Sequence, residues 1–291
     1  MRRALTPLIA MALTIAGGAA AQEAQAQRPP SHCIAFVENT PGLDVSPAAL
    51  TSKPVPANYR NAVPPETIRI SYIDHAMFLI QTPGGLSVVT DYNGYIGPTD
   101  FVPDVVTMNH AHGTHWTATP DARIPHVLPG WNAGGDGPIE HKLDLGEMLV
   151  RNVTTDIRGR FGDTPEADGN SIFIFEAEGL CTGHLGHLHH TPTPEQYAAI
   201  GRLDVVMAPV DGGMTLPLPD MIALLKHVRA AVVIPSHWFS TGSLAAFVAG
   251  MEDQFSVEVK SEPYIEVSLR ELPRRPTIAV LPPLMLGIDA P

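Results

Sequence analysis

The sequence predicts one mixed α/β domain over about residues 66–272. Short apolar strands joined by tight turns come first, and strands alternating with helices follow, the order of such a domain. Composition agrees: 44% of the 291 residues are hydrophobic and 16% charged. That is enough apolar material for a core and too little charge for a disordered tail or a coiled coil.

The chain opens with Arg2 and Arg3, an apolar run from Ala4 to Ala21, and small residues including Ala24-Gln25-Ala26. This is the order of a secretory signal peptide, predicted for residues 1–26. A spanning helix needs about 20 unbroken apolar residues, and Pro7 and Gly17-Gly18 interrupt this run. The mature protein is therefore expected in the periplasm or outside the cell, with no membrane contact after cleavage. Residues 27–65 carry eight prolines. Their fixed φ and missing N–H donors predict an extended N-terminal arm.

Thr67–Ile73 and Ala76–Gln81 read as strands, and Pro83-Gly84-Gly85 turns the chain into a third, Leu86–Thr90. Val105–Met108 is short and wholly apolar, as a strand buried on both faces should be. Met148–Val153, Ser171–Glu176, Leu180–Leu185 and Val205–Ala208 continue the β pattern. Pro194–Ile200 and Pro219–Arg229 are predicted helices; in the second, Met221, Leu224, Leu225 and Val228 recur at three- and four-residue spacing behind Pro219. Ala231–Pro235 predicts a strand, Ser243–Met251 a helix, and Val257–Val259 and Ile265–Leu269 the last strands. Residues 273–291 are left as a C-terminal extension. The two cysteines, Cys33 and Cys181, are a disulfide pair in an oxidising compartment or else two unrelated thiols, Cys181 then being a small buried hydrophobe.

The net charge is −12, and no Lys/Arg cluster follows the first three residues, so nucleic acid is not an expected partner. A small-molecule substrate is. No GxSxG elbow, Walker loop or GxGxxG follows a strand. Chemistry concentrates instead in the thirteen histidines. His110, His112 and His115 stand at i, i+2 and i+5 on a loop leaving the apolar strand that ends at Met108, with Ala111 and Gly113 small enough to let it turn. His184, His187, His189 and His190 cluster at a second strand exit, and His237 ends a third apolar strand. Three strand ends delivering imidazole suit a catalytic metal pocket, since neutral imidazole ligates Zn²⁺ and also Fe or Mn.

His110-Ala-His112-Gly-Thr114-His115 resembles the HxHxDH motif of the metallo-β-lactamase fold superfamily. Ile68–Gln81, Pro83-Gly84-Gly85 and Val88–Asp91 resemble its opening hairpins and first aspartate; Asp204–Pro209 and Val232–Trp238 resemble its closing strands and last metal histidine. Gly169–Phe173, before a strand ending in an HxGD-type motif, is most similar to the branch containing ascorbate-6-phosphate lactonase. The resemblance implies a four-layer αββα sandwich, one or two metals held by its loops, and hydrolysis of lactones, esters, amides or phosphoesters. It implies metal ligands among His110, His112, His115, His187 and His237, and Asp91, Thr114, Asn170 and His184 behind them.

This chain departs from the pattern at three points. Thr114 replaces the aspartate of HxHxDH, His187 replaces that of HxGD, and no histidine lies between Leu149 and Asn170, where Asp156 and Asp163 offer carboxylates. Hydroxyl and imidazole leave a more positive site that repels a second dication, so one Zn²⁺ per chain, or one strong and one weak site, is expected, with Mn²⁺ or Fe as alternatives. His115, His187 and His237 are its expected ligands, and His110 and His112 either ligands or proton carriers. His189, His190 and Asp156 are candidates to protonate a leaving group. No positive cluster flanks the motifs, although Arg158 and Arg160 could approach, which favours a neutral ester, lactone or amide over a phosphate. The alternatives are a non-catalytic periplasmic metal-binding protein on the same fold and, by fold analogy, a β-lactam hydrolase.

Overall fold

Side chains on alternate strand positions sort into separate apolar clusters, and those clusters define the layers. The computed structural model describes residues 32–34, 59–110, 112–135, 137–159 and 165–287. The expected signal peptide, most of the arm, Arg160 and Asp163 lie outside them. One sheet holds β1 (Thr67–Asp74), β2 (Met77–Gln81), β3 (Ser87–Val89), β4 (Val105–Met108) and β5 (His126–Pro129) side by side, with β13 (Tyr264–Ser268) beyond β1. The other runs β12 (Ser256–Val259), β14 (Thr277–Val280), β11 (Val232–Ser236), β10 (Val205–Pro209), β9 (Leu180–His184), β8 (Glu166–Ala177), β7 (Met148–Ile157), β6 (Lys142–Asp144).

Ile70, Phe78, Ile80, Val88 and Val105 meet Met148, Phe173, Phe175, Val205 and Met207 between the sheets. The opposite faces of β8, β10 and β11 (Ile174, Val206, Ala208, Val233) pack on α1 (Pro194–Ile200), α2 (Leu218–Val228) and α3 (Thr241–Met251) through Ile200, Met221, Leu224, Leu225, Phe247 and Met251. The predicted spacing on α2 is thus its buried stripe. On the outer face of the first sheet, Met77, Leu79, Val89 and Val106 are covered by Tyr92, Ile96, Ile124 and Trp131, residues of loop segments. This is the αββα sandwich, with one outer layer built from coil among the described residues. α1 starts at a capping box: Thr193 Oγ1 accepts from Gln196 N–H (3.2 Å) and Gln196 Oε1 from Thr193 N–H (2.8 Å).

Three strands escaped the sequence: β5, β6 and β14. β14 pairs in parallel with both β11 and β12, and Leu281 and Leu286 beyond it are buried. The second sheet therefore continues past the expected boundary at 272. At the other end Tyr59 and Val63 are buried, so the domain also begins before residue 66. Cys33 and Cys181 are joined in a disulfide, which pins residues 32–34 to β9, and Arg202 N–H donates to Cys33 O (2.7 Å).

Candidate metal centre

Parallel strands point their carboxyl ends the same way, and in α/β sheets ligands collect there. β3 and β4 are parallel in one sheet and β9, β10 and β11 in the other. Just past these five ends stand Asp91, Asn109–His115, His184–His187, Asp211 and His237. The β1–β2 turn adds His75. Its carbonyl accepts from Tyr72 Oη–H (2.7 Å) and His237 N–H (2.9 Å). His75, Asp91 and His237 all hold left-handed backbone (φ 48°, 46° and 55°). Such conformations cost of order 1–3 kcal/mol in non-glycine residues and cluster at functional sites.

Ligating nitrogens of His75, His112, His115 and His237 all lie within 4.8 Å of one another. His115 and His237 are fully buried, and each is oriented by a carboxylate. His115 Nδ1–H donates to Asp91 Oδ2 (2.6 Å), while Asn109 Nδ2–H holds Asp91 Oδ1 (2.7 Å). His237 Nδ1–H donates to Asp211 Oδ2 (2.8 Å). Asp211 is fixed in turn by Thr215 Oγ1–H (2.7 Å) and by the N–H groups of Gly213, Met214 and Thr215 at 2.6–3.1 Å. Burial would raise the Asp211 carboxyl; these donors, His237 first, hold it far below the usual range instead. With both Nδ1 atoms protonated, each Nε2 carries a lone pair. Both Nε2 atoms are buried and have no partner.

That donor set fits a metal ion. Two orphaned imidazole lone pairs converge with two further imidazoles, and the outer carboxylates fix tautomer and ring orientation as metal sites require. Thr114 Oγ1 lies 2.9 Å from His75 Nε2 and 2.7 Å from His112 Nδ1, where the superfamily motif carries an aspartate. His187 Nε2 is 3.0 Å from His112 Nε2, and its ring centre lies 4.7 Å from that of His115 and 5.0 Å from that of His237. Asn170 Oδ1 holds the His187 loop by accepting its N–H (2.8 Å). Gly186 lets the chain pass: a Cβ there would stand 2.3 Å from Asn109 Nδ2.

Other expected site residues fall elsewhere. His110, expected among the ligands or proton carriers, turns away. Its Nδ1 sits 2.7 Å from Glu166 Oε1 and its ring stacks on Trp131 at 5.0 Å. An acid and an aromatic face outside the cluster capture it. Asp156 Oδ1 accepts from Asp168 N–H (3.1 Å) in the β7–β8 ribbon, and among the described residues it is not part of the imidazole cluster. The His190 ring lies 6.4 Å from that of His189, and His190 is not among the residues of the cluster. His189 reaches His187: its Nε2 is 3.0 Å from His187 Nδ1, and its Nδ1 accepts from Arg158 N–H (2.9 Å). His184 is fully buried and donates from Nε2 to Ala76 O (2.9 Å), with Nδ1 4.0 Å from Asp91 Oδ1. It supports the β1–β2 turn and Asp91 rather than the cavity. His75 and Asp211 were missed. The signals available were a histidine in the two-residue turn between two predicted strands, and an aspartate opening Asp211-Gly212-Gly213 after an apolar one.

Burial and mutual repulsion push these imidazoles down from the ordinary 6.5, His75 to about 3 and His189 to about 4, and His115 and His187 far down. The folded rings therefore stay neutral while unfolded histidines protonate below about 6.5. In that window the unfolded state binds more protons, so stability falls as pH falls. By pH 5 the loss is about 2 kcal/mol for each of His115 and His187. Metal-stripped protein is expected to melt several degrees lower at pH 5 than at pH 7.5; equal melting temperatures would contradict it.

The β-lactamase superfamily domain model matches residues 69–237, more than half of the chain and all of the cluster. The chain belongs to that superfamily. It is 22% identical over 207 residues to a UPF0173 metal-dependent hydrolase of Carboxydothermus hydrogenoformans, covering 64% of this chain and 92% of that one. A Thermotoga maritima structure described as a Zn-dependent hydrolase of the metallo-β-lactamase superfamily superposes with a TM-score of 0.51 at 25% identity, covering 74% of this chain and 98% of the other. A Veillonella parvula structure shares the fold at a TM-score of 0.50 and 14% identity, over 69% and 99% of the two chains. By class, this protein is a metal-dependent hydrolase.

Proposed function

We propose that the protein binds one Zn²⁺ per chain and hydrolyses a small uncharged ester, lactone or amide after export from the cytoplasm. The orphaned, buried Nε2 atoms of His115 and His237, braced from behind by Asp91 and Asp211, carry the reading. His75 and His112 complete the ligand set, and His187 adjoins it. The bound ion supplies Lewis-acid chemistry, acidifying water and polarising a carbonyl. Around it the chain contributes orientation. Asp91 and Asp211 keep the two ligand lone pairs aimed inward, and the Thr114 hydroxyl fixes His75 against His112. His187 Nδ1 and His189 Nε2 lie 3.0 Å apart, and the Arg158 N–H holds His189 Nδ1 in turn, so this pair fixes the His187 ring beside the ligands. Asp91 is committed to His115 Nδ1–H and the Asn109 amide, and Asp211 to His237 Nδ1–H, Thr215 and backbone N–H donors; among the described residues the ligand cluster is made of imidazoles alone, with no carboxylate to bridge a second dication. The Cys33–Cys181 disulfide supports export, because such bonds persist in oxidising compartments.

Elemental analysis of purified protein is expected to give one zinc per chain. Hydrolysis of a panel of chromogenic esters and lactones should disappear on chelation and return with Zn²⁺. Two tightly held metals would overturn the single-ion site, and metal-independent or absent turnover would overturn the substrate assignment.

A further inference from the structure

A cavity of about 260 Å³ opens over the histidines. Asp74, Asn93, Trp238, Phe239 and Pro283 line it together with His75 and His237, so anything reaching the ligand nitrogens from this side passes these side chains. Drug-sized sites run to roughly 300–1,000 Å³; this one has the scale of a single ring with a short acyl group.

Charge limits what enters. Among the described residues no Lys or Arg lines the cavity, and Asp74 makes its wall acidic. Arg158, whose backbone N–H meets His189, directs its Nη2 to the carbonyls of Gly213 (3.0 Å), Met214 (2.8 Å) and Thr215 and does not line the cavity. Away from the metal, an anionic group in this cavity would meet Asp74 and no basic side chain among the described lining residues.

Phe239 supplies the complementary feature. The residue is 60% exposed, yet its ring centre stands 4.9 Å from that of His237 and 5.4 Å from that of His75. A lone exposed apolar side chain is ordinary on a surface. This one is held at the mouth of the site, between the end of β11 and Ser240, whose hydroxyl caps α3. Beside it Trp238 carries a buried indole N–H with no partner.

We propose that Phe239 determines specificity: its face, with Trp238 and Pro283, seats the uncharged aryl or alkyl part of the substrate while the scissile carbonyl faces the histidines. The proposal rests on the hydrolase reading above and deepens it. The test is binding of 4-methylbenzamide and of its anionic counterpart 4-sulfobenzamide to zinc-loaded protein, by titration calorimetry. The methyl compound should bind, the sulfonate at least about fivefold more weakly. Phe239→Ala should weaken the methyl compound about fivefold and Phe239→Leu less, the range expected of one aromatic contact. Unchanged affinity in Phe239→Ala, tighter binding of the sulfonate, or no binding to the unmodified protein would overturn the proposal. Hydrolysis of 4-nitrophenyl acetate in the same preparations reports on the parent reading separately. Amide binding that depends on Phe239 without turnover would sink the hydrolysis and support the ring's role as a ligand seat.

Discussion

Replacing His237 by alanine is expected to strip the metal and with it the activity. The substitution removes one of two fully buried Nε2 lone pairs that have no other partner, and it leaves Asp211 facing a void instead of an imidazole N–H. Bound zinc should fall well below one per chain after dialysis, and kcat/KM by about 10³-fold or more, since the ion generates the nucleophile. Asp211→Asn separates orientation from ligation. It keeps the shape of the side chain but loses the carboxylate, and altered outer partners typically cost 10–100-fold in metal affinity or activity. The expected order is therefore unmodified protein, then Asp211→Asn, then His237→Ala, in both metal content and rate. Full zinc occupancy in His237→Ala would show that the ion sits elsewhere.

The second large effect is on stability. The Cys33–Cys181 bond spans a sequence separation of 148. Cross-links over loops of about 100 residues are worth up to about 5 kcal/mol by constraining the unfolded chain, though native strain often reduces this. Both sulfurs lie in the apolar cluster beneath α1 and α2. Changing both cysteines to alanine avoids burying hydroxyls there. The double variant is expected to lose about 3–5 kcal/mol, roughly 10 °C in melting temperature for a domain of this size. Reductant should lower the unmodified protein similarly and leave the double variant alone. A melting temperature insensitive to both would remove the bond from the stability account.

Strand ends were the legible part of the site. A histidine-rich loop directly after Val105–Met108, and His237 directly after Val232–Ser236, can be read from apolar periodicity alone, because a buried strand must end where polar residues begin. His110 shows where that reading fails. Spacing places it beside His112, but which way a loop side chain turns depends on Glu166 and Trp131, which come from other elements and have no fixed sequence distance to it. His75 fails for the opposite reason. It stands alone in a tight turn, and only the pairing of β1 with β2 and their packing against β9 and β11 carries it to the other imidazoles. Asp211 likewise gains its role from a left-handed residue on the adjacent strand. In the fold, β5 (HVLP) and β6 (KLD) were missed because they carry no apolar run or alternation, and β14 because its partners are remote: α3, β12 and β13 separate it from β11, and β13 separates it from β12.

Placing β14 between β11 and β12 has a consequence for biosynthesis. The second sheet stays split until residue 280 has left the ribosome, and β1 waits for β13 to cover its edge. Pairings between such distant segments form slowly, because chain closure precedes any reward from contact. The two sheets thus close together and late, each waiting on a strand from the last quarter of the described chain.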